Sequence, residues 1–241
     1  MIEGTYNANQ YVLYQGDCFE LLDLPKADLV IADPPFGVEW FADFELSKLW
    51  DFYQSVLKEP GTIVLDNEQP YISWLIHSGR ELFQHSLIWE KDIVGMRHFA
   101  GYLPLKVHTE FAVFSNGSFH PKAKVRATYN DGGPLQKPGA ISGAKHAQSI
   151  FYHSVVHGDR RHPGQKPVGL LRWLIKQYSN PGDWVLDHVM GSGATGVAAL
   201  LEGRNFIGIE RDPAIFSEAV DWLSSPVTGE TKPPASENAF F

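Results

Sequence analysis

The stretch "VLDHVMGSGATGVAALLEGRNFIGIE" (185–210) decides how this chain folds. An apolar run ends on Asp187, a Gly-Ser-Gly turn occupies 191–193, a helical pattern runs over 194–203, and a second apolar run ends on Glu210. Gly191 and Gly193 can take backbone angles that other residues avoid, and they let a ligand approach the main chain. The helix N-terminus after them favours a carboxylate or phosphate. An acid closing the following strand is placed to accept from ribose hydroxyls. A lone Gly-x-Gly is weak evidence, and an ordinary tight strand-to-helix turn is the competing reading. Strand, turn, helix, strand and acid at this spacing favour a ligand site.

The same alternation extends outward from this unit. Apolar runs lie at 11–17, 28–35, 61–66, 86–91, 109–115, 183–188 and 205–210. Helical patterns lie at 45–58, where Leu46, Leu49, Phe52, Tyr53 and Val56 share a face, and at 168–179, 194–203 and 213–223. Such alternation predicts an α/β fold with a mostly parallel sheet. Five of the runs end on an acid: Asp17, Asp33, Asp66, Asp187 and Glu210. Open α/β sheets bind ligands beyond the carboxyl ends of their strands, so acids collected there are site candidates. The run at 28–35 continues as "ADPPFG", which sets a carboxylate, two prolines and an aromatic ring side by side.

The chain has 241 residues, 44% of them apolar, enough for one large domain or one domain with an insertion. No apolar run approaches the roughly 18–20 residues that span a bilayer, and the first ten residues lack the pattern of a secretory signal. A single cysteine, Cys18, excludes an internal disulfide framework and argues against a thiolate zinc site, so a cytoplasmic location is expected. His153, His157 and His162 fit no metal-ligand spacing, and no metal is expected. The formal net charge of −8 alone argues against a polyanionic partner, but its distribution reverses that reading. Residues 116–162 carry Lys122, Lys124, Arg126, Lys137, Lys145, Arg160 and Arg161 against only Asp131 and Asp159. A basic patch on an acidic body suits a phosphate-binding surface; a solvated loop with chance bias is the other reading. The tail 224–241 has a disordered composition.

These motifs together resemble the DNA amino-methyltransferases. The glycine turn resembles that family's S-adenosylmethionine loop, and "DPPF" resembles its catalytic "D-P-P-Y". "LYQGDCFELL" (13–22) resembles the strand turn whose acid meets the cofactor's adenine. "HPGQKPVGLLRWLIK" (162–176) resembles the "H-P-T-Q-K-P" helix entry near the cofactor's methionine end, and "WEKD" (89–92) and "HTEFAVFS" (108–115) match family strands. The catalytic motif precedes the glycine loop, an order similar to the permuted beta group. Phe36 stands in place of the motif's Tyr, His188 and Val189 in place of Pro-Phe, and Gly164 in place of Thr.

The resemblance implies a Rossmann-like methyltransferase sheet, with a catalytic part over 1–115, a small inserted target-recognition region over 116–162, a cofactor-binding half over 163–223 and a flexible tail. It implies S-adenosylmethionine as cofactor, held by Asp17, Cys18, Lys166, Asp187, Gly191, Ser192, Gly193, Thr195 and Glu210. It implies duplex DNA as partner, contacted by the basic residues of the insert, and leaves a homodimer open. Asp33, Pro34, Pro35 and Phe36 are the expected catalytic residues. An exocyclic amino nitrogen is a poor nucleophile because its lone pair is delocalised into the base. The Asp33 carboxylate and the Pro34 carbonyl would each accept one amino hydrogen and concentrate that lone pair, while Phe36 stacks on the extruded base. Direct transfer needs no covalent intermediate, so Cys18 is read as a small residue near the cofactor's adenine. Glu39, Trp40 and Phe41 could form a flap over the flipped base or simply pack. The Asp of "DPPF" favours adenine-N6 methylation. Cytosine-N4 methylation is the near alternative, and a catalytically silent DNA-binding subunit is the alternative of another class.

Overall fold

The computed structural model describes residues 1–34, 46–116, 148–158, 160–162 and 164–224. Pro35, Phe36, Glu39, Trp40, Phe41, Lys122, Lys124, Arg126, Lys137 and Lys145 lie outside them. Within the described residues, nine strands form one mixed sheet: β1 (Ile2–Tyr6), β2 (Asn9–Gln15), β3 (Ala27–Ala32), β4 (Leu57–Asn67), β5 (Phe83–Gly95), β6 (Lys106–Ser115), β7 (Ile150–Tyr152), β8 (Trp184–Asp187) and β9 (Asn205–Glu210). Their order is β1-β2-β9-β8-β3-β4-β6-β5-β7. The central strands from β2 to β4 run parallel; β1, and β6 against β4 and β5, run antiparallel. Among the described residues, five helices cover the sheet: α1 (Leu46–Val56), α2 (Tyr71–Ser78), α3 (Val168–Tyr178), α4 (Ala194–Leu201) and α5 (Pro213–Ser224).

The central strand β3 is apolar at almost every position because both of its faces are covered. Side chains alternate across a strand, so Leu29 and Ile31 enter one core with Leu170, Leu174, Val197 and Phe216. Val30 and Ala32 enter the opposite core with Leu49, Tyr53 and Leu75. The first core belongs to α3, α4 and α5, the second to α1 and α2. Trp89 and Trp173 are both buried, and Trp184 is partly buried against the second core. Among the described residues, no helix is long and apolar enough to cross a membrane.

That layering positions the site. The chain leaves β3 toward α1 on one face and leaves β8 toward α4 on the other, while β3 and β8 lie side by side. Connections that diverge from neighbouring parallel strands open a crevice at their carboxyl ends. The crevice here falls between Asp33, just after β3, and Asp187, the last residue of β8.

Within the expected insert, residues 150–152 form β7, which adds to the sheet parallel to β5 with Ile88 opposite Ile150. The Trp89 indole N–H reinforces the junction by donating to the His153 carbonyl at 2.7 Å. Three residues are too few to carry a periodic signal, so only pairing defines them.

Candidate active site

Register puts five acids along one edge of the sheet. Gln15 of β2 lies opposite Glu210 of β9, with Asp17 two residues on. Asp187 follows on β8, then Asp33 after β3, then Asp66 on β4, whose Leu65 lies opposite Ala32. A cleft of about 250 Å³ opens over the middle of this row. Asp33, Lys166, Asp187, Gly191, Ser192 and Thr195 line it, as do Asp66, His162 and Gly164.

The glycine side is held mainly through backbone groups. Gly191 and Gly193 adopt φ of +52° and +84°, the left-handed region that favours glycine. The Gly191 N–H donates to Glu210 Oε2 at 3.0 Å, and the Asp212 N–H donates to Oε1 at 2.9 Å. The Glu210 carboxylate thus ties the turn to the strand beside it. Asp187 accepts from the Thr195 hydroxyl at 2.6 Å and from the Val189 N–H at 3.1 Å. Burial nevertheless pushes its carboxyl up to about 7, with the charges of Asp33 and Glu210 adding to the rise. His188, in the place of the family's Pro, is buried against the rings of Phe52 and Tyr53 at 5.4 and 5.5 Å. Burial lowers its imidazole to about 3, so it is a neutral packing group.

The other side is held by side chains from distant segments. The Lys166 ammonium bridges Asp33 Oδ2 and Asp66 Oδ2, the latter at 2.6 Å. Burial opposes the charge on Lys166, but the two carboxylates outweigh it and hold the ammonium above its ordinary value. Burial pushes the Asp66 carboxyl up to about 6, Lys166 limits that rise, and the Asp33 charge adds to it. Thr109 donates to Asp66 Oδ1 at 3.1 Å. Asn67, the last residue of β4, donates through its side-chain amide to the Pro34 carbonyl at 3.0 Å. Asp33 itself stays half-exposed at the mouth of the cleft.

Some expected residues stand apart from this cleft. Asp17 turns its carboxylate back to the Phe19 N–H at 3.0 Å. Cys18 is buried in the core cluster that contains Val30 and Phe52, and burial, then the charge of Asp17, push its thiol up to about 12. Neither residue lines the cleft. Arg160 donates through Nε to the Val156 carbonyl at 2.9 Å, and the Arg161 guanidinium lies 5.0 Å over the Trp222 ring. Lys166, expected at the cofactor, is engaged with the two acids. The sequence carries no site signal for Asn67 or Thr109, and shows Asp66 only as a strand-ending acid.

The family model N6_N4_Mtase, described as DNA methylase, matches residues 27–221. The chain is 28% identical over 236 residues to the DNA adenine methyltransferase YhdJ of Escherichia coli (strain K12), covering 82% of this chain and 77% of that one. It is 25% identical over 235 residues to the type II methyltransferase M2.MboI of Moraxella bovis, covering 83% and 82%. Among solved structures, the M1.HpyAVI–SAM complex superposes with a TM-score of 0.67 at 25% identity, covering 89% of this chain and 100% of that one. The PvuII cytosine-N4-specific DNA methyltransferase shares the fold with a TM-score of 0.67 at 18% identity, covering 87% and 85%.

Proposed function

Because the chain belongs to the N6/N4 family of DNA methylases, we propose that it is a site-specific DNA methyltransferase that moves a methyl group from S-adenosylmethionine to the N6 amino group of adenine. The observation that carries this reading is the pair of acceptors at the cleft mouth, Asp33 and the Pro34 carbonyl, each held by a side chain from a distant segment.

The cleft suits the cofactor electrostatically. Asp33, Asp66 and Asp187 line it against one lysine, and the ligand carries a sulfonium and an ammonium. The glycine turn and Glu210 would hold its nucleoside end, and Asp187 and Thr195 the wall beside it. Bound there, S-adenosylmethionine would supply an electrophilic methyl carbon and a neutral thioether as leaving group, the sulfur–carbon bond breaking as the nitrogen–carbon bond forms. Lys166 occupies Asp33 Oδ2, which directs the second carboxylate oxygen to one amino hydrogen of the base. The Pro34 carbonyl takes the other hydrogen. The nitrogen lone pair then points at the methyl carbon, and the amino proton that must be lost leaves through half-exposed Asp33 to water. Phe36 stacks on the flipped base, and the basic residues between 116 and 162 contact phosphates.

Adenine is favoured over cytosine by the Asp of "DPPF" and by the adenine-specific name of the Escherichia coli relative. Incubating the protein with tritiated S-adenosylmethionine and unmethylated bacterial DNA, followed by nucleoside mass spectrometry, tests the reading. N6-methyladenine is expected. N4-methylcytosine alone rejects the choice of base, and no transfer, with Asp33→Ala equal to wild type, favours the silent subunit.

A further inference from the structure

The segment after β3 has an unusual backbone problem. Pro34 and Pro35 have no N–H, so the main chain that leaves the sheet cannot be held through donors of its own. The Pro34 carbonyl must nevertheless keep one direction, and it is buried. What grips it is Asn67. Its side chain is almost fully buried, and Nδ2 donates to Pro34 O at 3.0 Å.

The amide cannot be turned the other way. Asn67 Oδ1 accepts from the Glu68 N–H at 2.8 Å, so a flip would set donor against donor and acceptor against acceptor. Asn67 is also fixed at its root, because β4 pairs on both sides: Leu65 lies opposite Ala32 of β3, and Asn67 lies opposite Glu110 of β6. The Asn67 carbonyl further accepts from Thr109 at 3.4 Å. A carbonyl oxygen has two lone pairs. Asn67 takes one and so fixes where the other points.

We propose that Asn67 is a positioning residue for methyl transfer: it anchors the Pro34 carbonyl so that its remaining lone pair meets an amino hydrogen of the target base. This rests on the reading that Asp33 and Pro34 form the acceptor pair. Asn67 does not itself touch the base. A purely structural asparagine would stabilise the turn equally well, so the test needs a readout that stability alone does not move.

The test uses the full chain with unmethylated bacterial genomic DNA, enzyme in excess, and tritiated S-adenosylmethionine. Transfer rate, affinity for cofactor and for DNA, and melting temperature are measured for wild type, Asn67→Ala and Asn67→Asp. For Asn67→Ala we expect a transfer rate reduced about 10- to 100-fold, the scale of loss when a reacting group is misplaced by about 1 Å, with both affinities within about threefold of wild type. In Asn67→Asp the introduced carboxyl opposes the carbonyl when ionised but can donate to it when protonated. Its rate relative to wild type should therefore rise as pH is lowered from 8 to 6. The ratio is the readout because Asp66 titrates beside the position in both proteins.

Asn67→Ala equal to wild type in rate overturns the proposal alone. So does a loss that follows only the folded fraction or the affinities, or a variant-to-wild-type ratio for Asn67→Asp that stays flat or falls on acidification. A wild type that transfers no methyl group to DNA, while its melting curve shows it folded, overturns the acceptor-pair reading and the proposal with it.

Discussion

The two flanks of the cleft are built on different principles. Around Asp187, Gly191 and Glu210 the contacts are short in sequence: Thr195 to Asp187 spans eight residues and Gly191 to Glu210 spans nineteen. One strand–turn–helix–strand unit supplies all of them. Around Asp33 the contacts are long: Asn67 to Pro34 spans 33 residues, Thr109 to Asp66 spans 43, and Lys166 to Asp33 spans 133. The first flank is a local fold that presents backbone. The second is a meeting of side chains that exists only once the sheet is complete. Damage to the first should weaken ligand binding, and damage to the second should disable chemistry.

The largest expected effect tests that division directly. Asp33→Ala removes an acceptor from the reacting nitrogen but leaves the glycine flank intact. Methyl transfer should fall by at least about 10³-fold, on the scale of losing a preorganised electrostatic group, while cofactor affinity measured by calorimetry falls far less, since Asp66 and Asp187 still line the cleft. A parallel loss of affinity would break the division. Lys166→Ala should be the next most severe. It strips the counter-charge from buried Asp66 and from Asp33, and breaking a buried pair from one side typically costs about 3–5 kcal/mol. At roughly 2–4 °C per kcal/mol for a chain of this size, melting should drop by about 6–20 °C. Adding Asp66→Asn to Lys166→Ala should restore part of that drop, because the uncompensated buried charge is then gone. A double variant no more stable than the single one would place the lysine's contribution elsewhere.

The same contrast explains what could be read from the sequence. The glycine flank was legible because its chemistry and its fold share one stretch, 185–210. Asp33 and Pro34 were legible as a motif, but their supports were not. No spacing rule links Lys166 to Asp33, or Asn67 to Pro34, until β3 and β4 pair and α3 packs above them. Lys166 was therefore assigned to the cofactor by its motif alone. The fold shows the same limit. The central strands announced themselves as apolar runs, whereas β1 is largely exposed at the sheet edge and carries no buried stripe. The helix α2, "YISWLIHS", is eight residues long and buries only Ile72 and Leu75, so its pattern does not rise above that of a short apolar run. Continuous burial in the middle and weak burial at the rim account for both outcomes.

Acidity offers a gentler way to separate the flanks. Asp66 and Asp187 have carboxyls raised to about 6 and about 7 by burial. A carboxyl raised in the folded state stabilises the fold below its unfolded value, near 4, and loses that contribution as pH climbs through the folded value. The ligand-free protein should thus lose several degrees of melting temperature between pH 5 and pH 8 relative to Asp187→Asn, which lacks the larger of the two shifts. A cationic ligand favours the ionised forms, so cofactor affinity should rise over the same interval in wild type and rise less in the variant. Equal pH profiles for the two proteins would show that Asp187 does not carry this linkage.

The smallest effect divides the glycine turn within itself. Both glycines have positive φ, which costs a residue with a side chain about 1–2 kcal/mol. A Cβ on Gly193 would also sit 3.3 Å from Ala219 Cβ and 3.4 Å from Leu223 Cδ1, both on α5. A Cβ on Gly191 would have only His162 Nδ1 within reach, at an unstrained 3.8 Å on the cleft side. Gly193→Ala should therefore express itself mainly as lost stability, through α5. Gly191→Ala should melt closer to wild type yet bind the cofactor more weakly, because its methyl group enters the space beside His162 that the ligand would use. Calorimetric titration alongside thermal melts distinguishes the two. If Gly191→Ala loses stability and keeps affinity, the face of the turn that meets the ligand is not the one lined by Gly191.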